Sequence, residues 1–518
     1  MTEPTAPTEA TGPASLREGA GQAPRQAGSH TLPTGSIPVT LAPGTGRLIG
    51  LLVAAAFVVI LNETIMSVAL PHLMEEFSVS AATAQWLSTG FMLTMAVVIP
   101  FTGWVMNRFT VRQVFVFAMS AFAVGTLVAG LAPLFSILLA GRVVQAVGTA
   151  IMMPLLMTTV LNVVPVARRG RMMGVISIVI AVAPAAGPTV GGVILEHLTW
   201  RWMFGTVFPI AVAALVAGAL WVRNVTEPRK VRLDGFSGVL CALGFGGLIF
   251  GLSSIGEAAG GHAPVAPWIP ILAGVAFLAF FAYRQIRLQE DALLDLRTLT
   301  RPTFTTALCC TLVTMMALFG VIILLPMYFQ QVLGWSTQQS GMALLPGGTA
   351  MAVLGYVVGN LYDRVGPRPL LIPGSVLAAG ALWGYTFLSP QSTAAFVITL
   401  HIVMSVGLSM MFSPLMTTAL SSLPRRLYAH GSALLSTLQQ VAAAAGTALF
   451  ITLLTVGTAG SAAHGSDQAA ATMDGVHLAL LAGACVFSLN VVAVWFVRRS
   501  PAEVEDAAEG VPAPAAGH

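Results

Sequence analysis

The sequence predicts an all-α integral membrane protein, and three observations predict it. Hydrophobic residues make up 56% of the 518 and charged residues only 8%. A soluble protein carries roughly 25% charged residues, so too little polar material remains here to face water. Apolar stretches of the roughly 20 residues that span a bilayer recur along the whole chain. Arginines gather in every second join between those stretches, as cytoplasmic loops require. The net charge of +4 is scattered, and without a concentrated basic face a nucleic-acid-binding role is excluded.

Residues 1–46 are rich in Pro, Thr, Ala and Gly and lack the apolar core of a signal peptide. They read as a disordered tail, and so do residues 500–518. Between the tails, six spans are expected near 48–71, 84–106, 113–132, 135–163, 172–195 and 203–222. Two more follow near 236–255 and 267–284, divided by the Gly-rich join Glu257–Pro267. The last six fall near 303–328, 339–361, 370–388, 393–421, 430–456 and 477–497, giving fourteen transmembrane spans. Cys241, Cys309, Cys310 and Cys485 lie in apolar runs without CxxC spacing. Buried cysteines of this kind act as small hydrophobes, so neither a disulfide nor a metal site is expected.

Arginine placement tests the count. One set of joins holds Arg108 and Arg112; Arg168, Arg169 and Arg171; Arg223 to Arg232; Arg284 to Arg301; Arg364 and Arg368; and Arg425 and Arg426. The opposite set holds Arg201 alone. This asymmetry gives an even number of spans with both termini cytoplasmic. The joins after spans 2 and 10 also share a frame, Gly103-Trp-Val-Met-Asn107-Arg108-Phe-Thr110-Val-Arg112 and Gly359-Asn-Leu-Tyr-Asp363-Arg364-Val-Gly366-Pro-Arg368. A repeat eight spans apart implies duplicated halves with a site at their interface. The division expected is a six-span bundle over 47–222, a linker with two extra spans over 223–302, and a second six-span bundle over 303–499.

Glu63 stands inside the first span, where a charge costs at least ~2.5–3.5 kcal/mol and so calls for a partner or a task. Arg142 stands inside the fourth. It cannot lose its proton, and must reach water, carbonyls or an acid, or snorkel to the headgroups. With span 1 running outward and span 4 inward, both residues lie about 10–12 Å from the outer ends at 1.5 Å per residue. Span 5 carries Ala183-Pro184-Ala-Ala-Gly187-Pro188-Thr-Val-Gly191-Gly192, which must bend the helix and strip it for close approach. Trp86, Phe91, Phe319, Tyr328, Tyr356, Trp383 and Phe412 are candidates for an apolar pocket taking flat organic molecules. Interface belts and simple packing use the same residues. His401 and Gln145 fit helix–helix hydrogen bonding as well as a cavity, while His464 and Asp467 read as solvated groups of an outer loop.

Several of these stretches resemble the major facilitator superfamily. The repeated frame resembles its loop signature, more fully in the second copy, because Asn107 and Thr110 replace the acid and the glycine in the first. The resemblance gives the Asp363–Arg364 pair a conformational role, whereas Arg108, Arg112 and Arg368 equally fit a loop that only sets topology. Arg142-Val-Val-Gln145-Ala-Val-Gly148-Thr-Ala150 resembles the signature of the fourth helix of its exporters, and the span 5 stretch resembles that of drug:proton antiporters. Leu61-Asn62-Glu63-Thr64 through Pro71, Tyr328 to Ser336 and Gly341 to Gly347 resemble the fourteen-span drug:proton antiporters, the EmrB/QacA group. Asn62, standing where that group has its acid, is similar to the lincomycin-resistance, LmrB-like branch.

The likeness runs over about 47–500. It implies a major facilitator fold of two six-helix bundles plus two inserted helices, without a cofactor, in the bacterial cytoplasmic membrane. The implied activity is export of a small lipophilic or cationic drug in exchange for protons, with Glu63 and Arg142 as the coupling pair and a single chain as the unit. Within transporters the alternative is export of an endogenous metabolite, siderophore or lipid; the span 5 stretch speaks against import. A membrane enzyme or receptor would need a catalytic constellation or a folded soluble domain, and the sequence holds no HExxH, P-loop or GxSxG.

Overall fold

The computed structural model describes residues 45–79, 81–165, 168–222, 224, 234–259, 265–288, 292–463 and 467–498. Of the tail expected over 1–46, residues 1–44 lie outside those described while Thr45 and Gly46 open α1; the tail expected over 500–518, His464, and Arg223 with most of the join after it also lie outside them. The chain begins with α1 (Thr45–Phe77), α2 (Ala81–Val98), α3 (Thr102–Arg108), α4 (Val111–Gly130), α5 (Phe135–Val163), α6 (Arg169–His197) and α7 (Arg201–Trp221). It continues through α8 (Gly235–Ala259), α9 (Trp268–Leu288), α10 (Pro302–Gln331), α11 (Thr337–Val365), α12 (Arg368–Tyr385), α13 (Ala394–Ser421), α14 (Tyr428–Ala463) and α15 (Gln468–Ala493). Pro100 separates α2 from α3 by a single 3₁₀ turn, Ile99–Phe101, because its missing N–H breaks the helical ladder.

Among the described residues, twelve helical stretches are long and apolar enough to cross a membrane. Each of the fourteen apolar runs read from the sequence lies on a helix or, for 84–106, on the α2–α3 rod. The two outside the twelve are α6 and α12. Several side chains within α6 lie outside those described, and α12 has only 18 residues, Arg368 and two prolines among them.

The packing follows the sequence repeat. On one side α1 packs with α2, α5, α6 and α7, and α4 with α5 and α7; on the other α10 packs with α13, α14 and α15, and α12 with α13 and α15. The α8–α9 hairpin lays α8 against both α2 and α14. The two groups meet directly where α6 packs on α11 and α13, and where α3 and α5 pack on α14. Helix ends are fixed by local chemistry. Thr110 with Gln113 and Ser336 with Gln339 form capping boxes that start α4 and α11, each satisfying two free backbone donors. Asp467, read as merely solvated, caps α15 by accepting from the Ala470 N–H at 2.7 Å.

The repeated loops do equivalent work at equivalent places. Asp363 accepts from the backbone N–H of Gly170 at 2.7 Å and of Arg171 at 2.9 Å, at the start of α6, where a helix favours negative charge. Asn107 instead meets His430 Nε2 at 3.1 Å, at the start of α14. Arg112 donates to the Ala219 carbonyl at the end of α7. Arg368 donates to the carbonyls of Trp495 (2.9 Å) and Val497 (3.2 Å) just beyond α15. Each of these arginines therefore caps the last helix of its own half. Gly366 ends α11 at φ +82°, a conformation glycine adopts without penalty; Thr110, at φ −72°, serves as a helix cap instead. Arg169, read as one more topology-setting charge, is buried, donating to Leu161 O (2.8 Å) in its own group and to Tyr428 Oη (3.1 Å) across the junction.

A further cross-group contact supplies a reporter, since the hydroxyls of Thr158 on α5 and Ser432 on α14 lie 2.7 Å apart. Cysteines at these two positions are expected to cross-link under mild oxidation. Asp363→Asn should slow that reaction several-fold, because the interaction at the α6 terminus, worth about 0.3–1 kcal/mol, is weakened. An unchanged rate would show that Asp363 does not hold the groups together.

Candidate functional site

Arg142 is 1% exposed in α5 and is held by polar groups from neighbouring helices. Its Nη1 donates to Asn62 Oδ1 on α1 and to Gln145 Oε1 one turn on, both at 3.1 Å. Gln145 Nε2 in turn donates to Thr126 Oγ1 on α4 at 2.7 Å, and that hydroxyl donates to the Phe122 carbonyl at 2.6 Å. The guanidinium lies 4.1 Å from the centroid of the Phe91 ring on α2, within range of a cation–π interaction. Arg142 Nε is buried with no partner. A permanent charge is thus solvated by two amides and one aromatic face rather than by a counter-ion.

Glu63 does not form the direct pair with Arg142 expected from its depth. The ion pairs among the described residues are Arg201–Glu76, Arg284–Asp234 and Arg297–Asp295. Neighbours on a helix point about 100° apart, so the amide of Asn62 takes the position facing Arg142 and the carboxyl of Glu63 turns aside, half-buried. The two charges still act on each other electrostatically. Asn62 was legible as a motif position, but its role as the direct ligand of Arg142 was not.

The span 5 glycines divide by face. Thr64 donates to its own helix at Leu61 O (3.1 Å) and reaches Ala183 O on α6 at 3.4 Å. A Cβ on Gly187 would overlap Thr64 Oγ1 and lie 2.8 Å from its Cβ, and one on Gly191 would lie 3.2 Å from Ile65 O. Gly192 faces open space, and the side chains of Pro184 and Pro188 lie outside those described. On α5, a Cβ at Gly148 would overlap the Ala118 carbonyl of α4, so this glycine lets the two helices touch.

The seven aromatic candidates do not gather. Phe91 lies under Arg142, and Trp86 stacks on Phe250 of α8 at 5.8 Å. Tyr328 and Phe412 are buried in the core, with Tyr328 Oη donating to Ser389 O at 2.8 Å, and Phe319 packs at the edge of that core. Tyr356 is exposed beneath Arg171, and Trp383 is exposed and donates to Ser488 Oγ at 3.1 Å. Of the loop residues, Arg108 and Arg364 are exposed, and Gly103 sits close to His430, 3.2 Å from a Cβ to Nδ1; a Gly359 Cβ would overlap Gly170 O.

Two further clusters lie near the helix ends. Glu76 accepts from Trp200 Nε1 at 2.5 Å and from Arg201 Nη1 at 2.6 Å, and Arg201's hydrogen bond holds that carboxyl below its ordinary range. The isolation of Arg201 among the opposite joins was the sequence signal for this clamp. Asp234 accepts from Arg284 Nε at 2.7 Å and Nη2 at 3.0 Å, and from Ser237 Oγ at 2.5 Å. The bonds from Arg284, partly opposed by burial, hold its carboxyl down to about 2. Its contribution to α8–α9 pairing is therefore complete above the ordinary value of 3.8 and lost only as pH falls through about 2. Asp234→Asn should lower the melting temperature by the same increment at pH 5 and pH 8 while leaving proton movement intact; an increment that varies over that range would show the pair titrating there. No His, Cys, Asp and Glu cluster suited to a metal occurs among the described residues.

Comparison with known proteins places this geometry. Residues 52–447 match the model of the Major Facilitator Superfamily. The chain is 38% identical over 451 residues to the lincomycin resistance protein LmrB of Listeria monocytogenes, covering 86% of this chain and 95% of that protein. It is 30% identical to the puromycin resistance protein pur8 of Streptomyces alboniger, covering 91% and 96%. Among solved structures, the human organic anion transporter MFSD10 superposes with a TM-score of 0.63 at 13% identity, over 88% of this chain and all of that one, a likeness of fold.

Proposed function

Because the chain belongs to the major facilitator superfamily, whose members are transporters rather than enzymes, we propose that it exports small lipophilic or cationic drugs in exchange for protons. Relatives named for resistance to lincomycin and puromycin and as a multidrug resistance protein B homolog support drug efflux. The membrane would be the bacterial cytoplasmic membrane, crossed fourteen times with both termini inside. In this reading α6 and α12 are spans, and α8 and α9 are the pair inserted between two six-helix bundles.

The observation that carries the coupling is the Asn62–Arg142–Gln145 network with Glu63 beside it. Arg142 keeps a fixed positive charge at one level of the N-terminal bundle. Glu63, turned aside from it, is free to take a proton, and a cationic or polar drug competes for the same carboxylate. Protonation weakens the attraction between Glu63 and Arg142, and the helix contacts on α1 carry that change to α6 through Thr64 and Gly187. Rocking of the bundles about their arginine-bearing junction then exchanges access between the two sides.

Purified protein in liposomes with an imposed pH gradient tests the reading. Lincomycin or a lipophilic cation should move against its gradient only while the proton gradient lasts. Glu63→Gln should lose drug-dependent proton movement, and Glu63→Gln combined with Asn62→Asp should regain part of it, because an acid then faces Arg142 directly. Undiminished exchange in Glu63→Gln would move the coupling group elsewhere.

A further inference from the structure

The two halves place unlike ionisable groups at one matched position. α5 begins at Phe135 and α13 at Ala394, so Arg142 and His401 are each the eighth residue of their helix. Gly148 and Gly407 follow at the same interval, each pressed on the preceding helix, Gly148 on α4 and Gly407 on α12, where a Cβ would lie 2.6 Å from Ala378 N. Opposite Arg142 stands Phe91, the eleventh residue of α2; opposite His401 stands Gly347, the eleventh of α11. His401 is the repeat-mate of Arg142.

Its surroundings are those of a base left open. A Cβ on Gly347 would lie 2.6 Å from His401 Nε2, so the ring rests directly on α11. The neutral tautomer with its proton on Nε2, the nitrogen against α11, leaves the lone pair on Nδ1, and Nδ1 is buried with no hydrogen-bond partner. Asp363 and Arg364 on α11, Arg169 and Arg171 on α6, and Arg368 on α12 lie at the far, arginine-bearing ends of the helices packed against α13, Tyr356 and Tyr362 lie toward that end of α11, and Glu196 and His197 close the opposite end of α6. The titratable groups of α10 are Cys309, Cys310 and Tyr328, and those of α14 are Tyr428 and His430. Tyr385 of α12 stands at the near end, its hydroxyl also buried without a partner, next to Gly384, whose Cβ would meet Leu400 at 2.6 Å. No charged side chain among the described residues acts on His401.

We propose that His401 is a second proton-binding group of the transport cycle, taking its proton on Nδ1 and so giving the C-terminal half, transiently, the positive charge that Arg142 carries permanently in the N-terminal half. This rests on the reading of the chain as a proton-coupled exporter. An intramembrane ionisable side chain is by default a mark of a proton or substrate route, and histidine is the side chain whose unperturbed charge change falls nearest physiological pH.

The test is proton release on addition of lincomycin or tetraphenylphosphonium to the purified full-length protein, followed with a pH indicator from pH 5 to 8. His401→Gln should reduce release by about half, as expected when one of two linked groups is removed, and Glu63→Gln should remove the other component. Release unchanged in His401→Gln overturns the assignment and leaves proton coupling standing; no release from the unaltered protein at any pH, with the probe bound, overturns both. Ring-15N histidine spectra of the unaltered protein, with His401→Asn for assignment, decide the matter independently of any probe or of the fate of His401→Gln. A resonance titrating at Nδ1 in this range supports the proposal, and a ring fixed as the neutral form throughout overturns it.

Discussion

Arg142→Ala is expected to abolish export, lowering drug transport by at least about 100-fold while the protein still inserts in the membrane. The truncation removes the donor on which Asn62 Oδ1 and Gln145 Oε1 converge at 3.1 Å. Each buried acceptor left without a donor costs about 1–3 kcal/mol, and Gln145 would release its hold on Thr126 of α4. Glu63 would also lose the cation acting on it. Arg142→Lys should recover only a fraction of the rate, since a compact, strongly hydrated ammonium lacks the planar face that lies over the Phe91 ring while Nη1 reaches the two amide oxygens. Drug accumulation in cells expressing each variant, normalised to membrane-inserted protein, measures this. Parental transport in Arg142→Ala would remove the network from the mechanism.

Gly187→Leu should cost nearly as much by a different route. Even one carbon at this position overlaps Thr64 Oγ1, and an overpacked contact costs about 1–3 kcal/mol or displaces the helix. Insertion should survive, because leucine favours the bilayer, so the expected outcome is a correctly inserted protein with transport reduced tenfold or more. Gly192→Leu is the internal control. It faces open space and should transport at close to the parental rate. Equal loss in both variants would point to the bulk of leucine anywhere on α6 rather than to its contact with α1.

The helices were legible because each apolar run is long and bounded by charge, turn residues or a capping pair, so composition alone locates them. The repeated loop frame was legible as well, but its partners were not. Nothing local to Asn107 indicates that a histidine 323 residues away will face it. Nothing in the run of three arginines after span 4 distinguishes the buried Arg169 from its exposed neighbours. For the site, sequence depth brought Glu63 and Arg142 to one level correctly but could not fix the rotation of α1, which decides between Asn62 and Glu63 as the residue facing the cation. The aromatic candidates failed to converge for a similar reason. Residue type says that a ring wants burial, while helix rotation decides whether it finds it in the core, beneath a cation, or against lipid.

The placement of α8 makes the two flanks of the molecule unlike for anything dissolved in the bilayer. One seam, between α2 and α14, is roofed by α8; the other runs along α6 and α11, which touch directly through Gly170, Gly174, Gly355 and Gly359. A hydrophobic guest diffusing within a leaflet meets a covered wall on the first flank and a bare, backbone-to-backbone seam on the second. On the reading of the chain as a drug exporter, the bare seam is where a bulky fluorescent lipid or amphiphile is expected to compete with substrate.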